Sequence, residues 1–193
     1  MSAQSVPYLT PQQYLEIEEK AEYKSEYLNG QMWPLGGEPY GMAGGRPEHN
    51  LISGNFMGEL HSALKGKCLV FSADQRIQVG PQGLYTYADC SVVCGRPAIV
   101  DTYNLINPRI IVEVLSKTTE TNDRGLKFGQ YTKLDSLEEY VLVSQTAPRV
   151  EKFRRHRDGS WLWKPYDGLE AKVQFESVDC LIALSDVYAG VEF

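Results

Sequence analysis

The sequence predicts an α/β protein of the α+β type, in which a mixed β-sheet is flanked by helices. Two amphipathic helical segments come first, and four runs rich in β-branched and aromatic residues follow. A helical stretch separates the third and fourth runs. That strand–helix–strand unit should form a right-handed parallel crossover, whereas the turns around it should form antiparallel hairpins. With 193 residues and 42% apolar content, the chain can bury its core in one domain, expected to span residues 1–193.

Thr10-Pro11-Gln12-Gln13 opens the first helix. Thr10 can cap it, proline suits the first helical position, and Gln13 can complete a capping box. The helix should continue through Glu22, Tyr23 and Glu26 and end before Asn29-Gly30, where SEYLNGQMW reads as helix end, turn and short strand. After the Gly/Pro-rich stretch PLGGEPYGMAGGRP, Ile52, Phe56, Leu60 and Ala63 or Leu64 mark a second helix from about Glu48 to Lys65, and Gly66 stands as its cap.

The strand-like runs are CLVFSADQRIQV, LYTYADCSVVC, PRIIVEVLS and EEYVLVSQ. Gly80-Pro81-Gln82-Gly83 should join the first two as a hairpin. Asp74 and Arg76, at alternate positions on the first, suit a lining of the cleft or, more simply, a cross-strand salt bridge. Leu126, Tyr131 and Leu134 suggest a crossover helix of about three turns. Asp158-Gly159 marks a final hairpin, whose aromatic residues Trp161, Trp163 and Tyr166 would be exposed and suit a homodimer interface.

Composition narrows the function. No run approaches the roughly 20 apolar residues of a membrane helix, and the N-terminus lacks a basic start followed by an apolar run, so a cytoplasmic protein is expected. Cys68, Cys90, Cys94 and Cys180 form no CxxC pair and lie outside zinc-finger spacing, so they read as reduced core residues. On a strand, Cys90 and Cys94 would share a face with Val92. A net charge of −6 argues against an architectural DNA-binding protein. It is compatible with an enzyme whose carboxylates hold metal ions. Arg149, Lys152, Arg154, Arg155, His156 and Arg157 form the basic concentration of the chain, suited to phosphate contact or to guarding an edge strand.

Two acids stand inside runs that otherwise read as buried strands: Asp89 in YADCSVVCG and Glu113 in NPRIIVEVLS. A buried carboxylate is costly unless it is paired or bound to a cation. Glu113 shares a face with Ile111 and Leu115, while Ile110, Val112 and Val114 take the other face. Glu113 could pair with Arg109 or Arg124; alternatively, it joins Asp89 and a later lysine in a site.

The order Tyr-Ala-Asp-Cys-Ser-Val-Val-Cys, then Asn-Pro-Arg-Ile-Ile-Val-Glu-Val-Leu-Ser-Lys-Thr-Thr, then Asp123-Arg124-Gly125-Leu126-Lys127-Phe128 with Tyr131, then Leu137-Glu138-Glu139-Tyr140-Val141-Leu142-Val143, resembles the Uma2 (DUF820) family of the PD-(D/E)XK nuclease superfamily. The resemblance implies a restriction-endonuclease-like core and a metal-dependent endonuclease cutting DNA. In the superfamily pattern a lysine stands two residues after the second acid, where this chain has Leu115. The resemblance makes Lys127 the migrated lysine. It also implies a magnesium or manganese ion held by Asp89, Glu113 and the Val114 carbonyl, with Glu26 as an extra acid. His49 could meet substrate or serve only as a cap. A nuclease-fold module that binds nucleic acid or a protein without cutting is the alternative.

Overall fold

The computed structural model describes residues 8–35 and 46–193; most of the Gly/Pro-rich stretch before the second helix lies outside them. The capping box forms as expected: the Gln13 amide donates to Thr10 Oγ1 at 3.2 Å, and Gln13 Oε1 accepts from the Thr10 amide at 2.9 Å. Helix α1 nevertheless covers only Pro11–Glu18. Glu18 turns back, and its carboxylate accepts the Ser25 amide at 3.0 Å and the Tyr87 hydroxyl at 2.8 Å. That anchors Ser25–Leu28 as a strand, β1, which hairpins through Asn29 (φ 49°) and Gly30 (φ 85°) into β2, Gln31–Pro34. Glu26 is therefore on a strand, not near the end of a helix. Tertiary pairing outcompetes helix propensity here, because Tyr27 stacks on Tyr14 and meets Tyr85 in a closed aromatic cluster.

Helix α2, Pro47–Leu64, buries Ile52, Phe56, Leu60 and Leu64 completely, and Gly66 takes φ 77° just beyond it. The strands that follow are β3 (Cys68–Ser72), β4 (Arg76–Gln78), β5 (Tyr85–Tyr87), β6 (Cys90–Cys94), β7 (Ile99–Val100), β8 (Asn104–Leu105) and β9 (Ile110–Leu115). The crossover contains α3 (Glu120–Asn122), a π-helical turn (Asp123–Lys127) and α4 (Phe128–Tyr131) in unbroken succession. The chain then forms β10 (Glu139–Ser144), β11 (Arg149–Arg155), β12 (Trp161–Asp167), β13 (Lys172–Phe175), β14 (Cys180–Ala183) and α5 (Leu184–Val187).

The predicted hairpin exists, but both of its arms break. β4 and β5 pair in one six-stranded sheet, of order β2-β1-β5-β4-β8-β7. β3 and β6 pair in the other, of order β12-β11-β10-β9-β6-β3. Both sheets are mixed, since β4 runs parallel to β8 and β9 parallel to β10. The fold is therefore α+β with two large mixed sheets where one was expected. Ala88-Asp89 forms the bend at which one arm passes between them. Gly83 closes the hairpin so tightly that a Cβ there would lie 1.7 Å from the Val79 carbonyl oxygen.

Both faces of β9 are buried as predicted. Ile110, Val112 and Val114 join the core under α2, with Cys90 and Val92, while Ile111 and Leu115 join a second core under the crossover helix. No helix among the described residues is long and apolar enough to cross a membrane.

Four expectations are corrected. Cys68 and Cys94 lie opposite each other on β3 and β6 and form a disulfide; Cys90 and Cys180 are free and buried. The 26-residue separation hides this pairing, because the broken hairpin alone sets the register. Asp74 sits in a turn and pairs with Lys24 at 2.5 Å, while Arg76 Nε donates to Asn104 Oδ1. The basic run from Arg149 to Arg155 lies on β11, an interior strand of its sheet, with His156 and Arg157 in the turn beyond; Lys152 is buried against Glu139 at 3.0 Å, and Arg149 pairs with Asp167 at 2.5 Å. Tyr166 is buried, so of the last-hairpin aromatic residues Trp163 is the most exposed.

Thiol titration of unreduced, denatured protein should find the two thiols of Cys90 and Cys180. Four thiols would show that the Cys68–Cys94 bridge does not form.

Candidate active site

β6 runs antiparallel to β9, with Cys90 opposite Val112, so the bend before β6 brings Asp89 beside Glu113 and Val114. The Val114 amide donates to Asp89 Oδ2 at 2.7 Å, extending the ladder by one side-chain bond. Asp89 thus sits at the start of its strand and Glu113 near the end of the neighbouring one.

Glu113 is 3% exposed and sits among the apolar residues under the crossover helix. The Tyr131 hydroxyl donates to Glu113 Oε1 at 3.0 Å, and Lys127 Nζ donates to the same atom at 3.2 Å. The alternative pairing with Arg109 or Arg124 does not occur: Arg109 holds Glu138, and Arg124 holds Glu120 and Glu151.

Lys127 is the centre of the cluster. Its ammonium lies 3.3 Å from Glu26 Oε1 and 3.2 Å from Asp123 Oδ1, as well as against Glu113, and the side chain is 5% exposed. Glu26 arrives from β1 in the other sheet, where the Trp33 indole donates to its Oε2 at 2.9 Å and the Thr86 hydroxyl to its Oε1. Asp123 and Lys127 bracket the π-helical turn, a form that recurs at functional sites. The Tyr140 hydroxyl donates to the Asp123 carbonyl at 2.9 Å and so ties that turn to β10.

His49, at the start of α2, reaches the open rim. Its Nε2 lies 3.5 Å from Asp89 Oδ1, and both side chains remain partly exposed. The hydrogen bond to Asp89 pushes its pKa up from the ordinary imidazole range, outweighing burial, and the backbone of Val114 contributes in the same direction.

Electrostatics follow from burial. Desolvation holds Glu113 well above the usual carboxylate range; Asp123 and Asp89 reinforce the shift, while Lys127 and Tyr131 oppose it. Desolvation also raises Asp123. Burial alone would depress Lys127, yet Glu113, Glu26 and Asp123 together hold it well above its ordinary range, so its ammonium stays protonated.

The structure thus brings together Asp89, Glu113, Lys127, Glu26 and the Val114 backbone from four separate segments, with His49 at the rim. Asp123 is the acid that sequence reasoning left without a role. The available signal was its spacing: Asp123, Lys127 and Tyr131 recur every four residues, one face of a helix.

Among the described residues no three His, Cys, Asp or Glu side chains stand at ligand spacing around one point, because the acids gather round an ammonium. The donor set still fits a hard divalent ion in kind, since magnesium needs only one or two protein carboxylates and water. Four carboxylates face one ammonium and one imidazole, an excess of negative charge that a divalent ion would balance.

Lys127→Met would leave buried acids without their cation. We expect it to cost about 3–5 kcal/mol at neutral pH. The loss should shrink as pH falls, because protonating Glu113 and Asp123 removes their repulsion. Chemical denaturation of both proteins at pH 7 and pH 5 checks this; an equal loss at both would show that the acids do not depend on Lys127.

Comparisons with known proteins agree with this architecture. A crystal structure of "a putative nuclease belonging to DUF820" from Anabaena variabilis ATCC 29413 matches with a TM-score of 0.75 at 18% identity, covering 95% of this chain and 99% of that one. That likeness bears out the fold class. Two proteins of Synechocystis sp. (strain ATCC 27184 / PCC 6803 / Kazusa) are similar in sequence. "Uncharacterized protein slr1290" is 33% identical, over 97% of this chain and 95% of its own length, and "Uncharacterized protein sll1609" is 31% identical, over 86% and 92%. Residues 11–185 match the family Uma2, described as "Putative restriction endonuclease". This match takes in Glu26, Asp89, Glu113 and Lys127, and the chain belongs to the Uma2 family.

Proposed function

We propose that this site is that of a metal-dependent endonuclease hydrolysing phosphodiester bonds in DNA. One observation carries the reading. Leu115 occupies the usual lysine position, and Lys127 comes from another element to stand 3.2 Å from Glu113. A magnesium or manganese ion held by Asp89, Glu113 and the Val114 carbonyl would polarise the phosphate and acidify a bound water.

The protein's own groups divide the remaining work. Lys127 is held protonated, so it cannot accept a proton near neutral pH; it acts as a fixed cation that orients the nucleophile and meets charge developing on phosphate oxygens. Glu26 and Asp123 aim that ammonium. Tyr131 steadies the carboxylate of Glu113 and excludes water from its apolar side. Duplex or single-stranded DNA would enter at the rim formed by Asp89 and His49, the partly exposed side of the cluster. We assign a homodimer contact to β12, an edge strand whose Leu162 and Trp163 are about half exposed.

A second reading is a nuclease-fold module that binds without cutting. It draws on the satisfaction of Glu113 and Glu26 by Lys127, Tyr131, Trp33 and Thr86, which is how a purely structural ion cluster would look.

Plasmid and single-stranded DNA incubated with manganese separate the readings. Cleavage should fall at least about 100-fold in Glu113→Gln and Asp89→Asn. Metal-independent DNA binding without any cleavage would favour the second reading. Burial holds Glu113 protonated beyond the usual carboxylate range, so manganese must displace that proton. Apparent manganese affinity should therefore rise with pH, by up to about tenfold per unit while Glu113 is protonated. Calorimetric titration showing pH-independent affinity would remove Glu113 from the ligand set.

A further inference from the structure

Lys127 lies on a π-helical turn set between the short stretches α3 and α4. Its wider i→i+5 bonding is rare outside single-turn bulges, so neighbouring contacts must hold it. Tyr140 supplies one such contact, on the Asp123 carbonyl, and Arg124, inside the same turn, supplies others. Its two terminal nitrogens donate to both oxygens of Glu151, at 3.0 and 2.8 Å, and its Nε donates to Glu120 at 2.8 Å. Planar fork-to-fork pairing fixes orientation as well as distance.

Glu151 is itself built into place. It is 8% exposed; the Trp163 indole donates to it at 3.0 Å, and Arg149 Nε lies 3.3 Å away. Hydrogen bonding from Arg124 leads the effects that lower its carboxyl to about 2, so it is an anion under all ordinary conditions. Strand register gives the pair its meaning. Glu113 on β9 lies opposite Leu142 on β10, and Leu142 lies opposite Glu151 on β11. The two acids therefore occupy one rung and one face of the sheet, about 10 Å apart. Lys127 reaches the first and Arg124 the second, so the turn straddles Leu142 with a cation on each side.

We propose that the Arg124–Glu151 pair is the positioning device of the site, holding the π turn in the register that keeps Lys127 on Glu113. Arg124 is 37% exposed and touches none of the acids round Lys127 apart from its chain neighbour Asp123, so its effect is transmitted through the backbone of the turn. Losing it frees the turn to relax toward α-helical bonding, which rotates Lys127 away from the rung. The catalytic meaning of this device rests on the nuclease reading; the device itself does not.

The test follows lysine reactivity in the full-length protein, using an N-hydroxysuccinimide acetate ester and peptide mass spectrometry. Lys127 is buried and protected in the wild type, exposed Lys133 reports reagent activity, and buried Lys152 reports global unfolding. In Arg124→Met and Glu151→Gln, acetylation of Lys127 should rise about tenfold or more while Lys152 stays protected, as a local opening requires. Arg124→Lys, which can make one bond but not the fork, should give an intermediate rate. Should the stronger variants unfold, seen as labelling of Lys152, Arg124→Lys decides alone. Wild-type protection of Lys127 in every folded variant would overturn the proposal, whatever happens to cleavage. Where the wild type cuts DNA, the variants should lose kcat about 10- to 100-fold with KM little changed. Faster Lys127 labelling in a protein that never cuts DNA would leave the positioning device standing and refute the nuclease reading.

Discussion

The arrangement depends on one buried ammonium. Glu26, Glu113 and Asp123 come from a strand of one sheet, a strand of the other and a helical turn, and each places a carboxylate oxygen within 3.3 Å of Lys127. Without that cation the three acids would repel one another in a region that water barely enters. With it, they bind two sheets and a helix at a single point. A cluster of this kind adds little net stability, because desolvating the charges offsets most of their attraction. Its contribution is geometric, since few alternative packings can satisfy three acids and one lysine together.

The site's other requirement is a hairpin that breaks in the middle. Had the runs 68–78 and 85–94 remained continuous, Asp89 would lie inside a ladder with its side chain committed to one face. The bend at Ala88-Asp89 frees that carboxylate to take the Val114 amide and to meet His49, while Thr86, three residues earlier, still belongs to the sheet that carries Glu26. The same break sets the β3–β6 register that joins Cys68 to Cys94. One local departure from regular structure thus opens the rim of the site and selects which cysteines pair.

Several charged residues away from the site have structural partners. Lys152, 2% exposed, is held by Glu139, Glu176 and the Gln174 carbonyl, which binds the small β13–β14 sheet to the main one. Arg155 donates to the Thr132 carbonyl and stacks over Trp161, securing the end of the crossover helix. Within the basic run, Arg149, Lys152 and Arg155 thus serve as internal wiring of β11.

What the sequence determined by itself were features whose causes are local. The Thr10 capping box, the Asn29-Gly30 and Asp158-Gly159 turns, the second helix and the two-faced burial of β9 all follow from short-range periodicity and turn chemistry. Asp89 and Glu113 stood out because an acid in an apolar run is costly wherever the chain goes. Lys127 was assigned a role through resemblance, with its four-residue spacing to Asp123 and Tyr131 as the local signal. Tertiary structure alone decided that Glu26 belongs to a strand, that Cys68 meets Cys94 and that the crossover contains a π turn. Each of these depends on which distant segment becomes a neighbour, and pairing energy across two sheets outweighs the propensities from which a sequence is read.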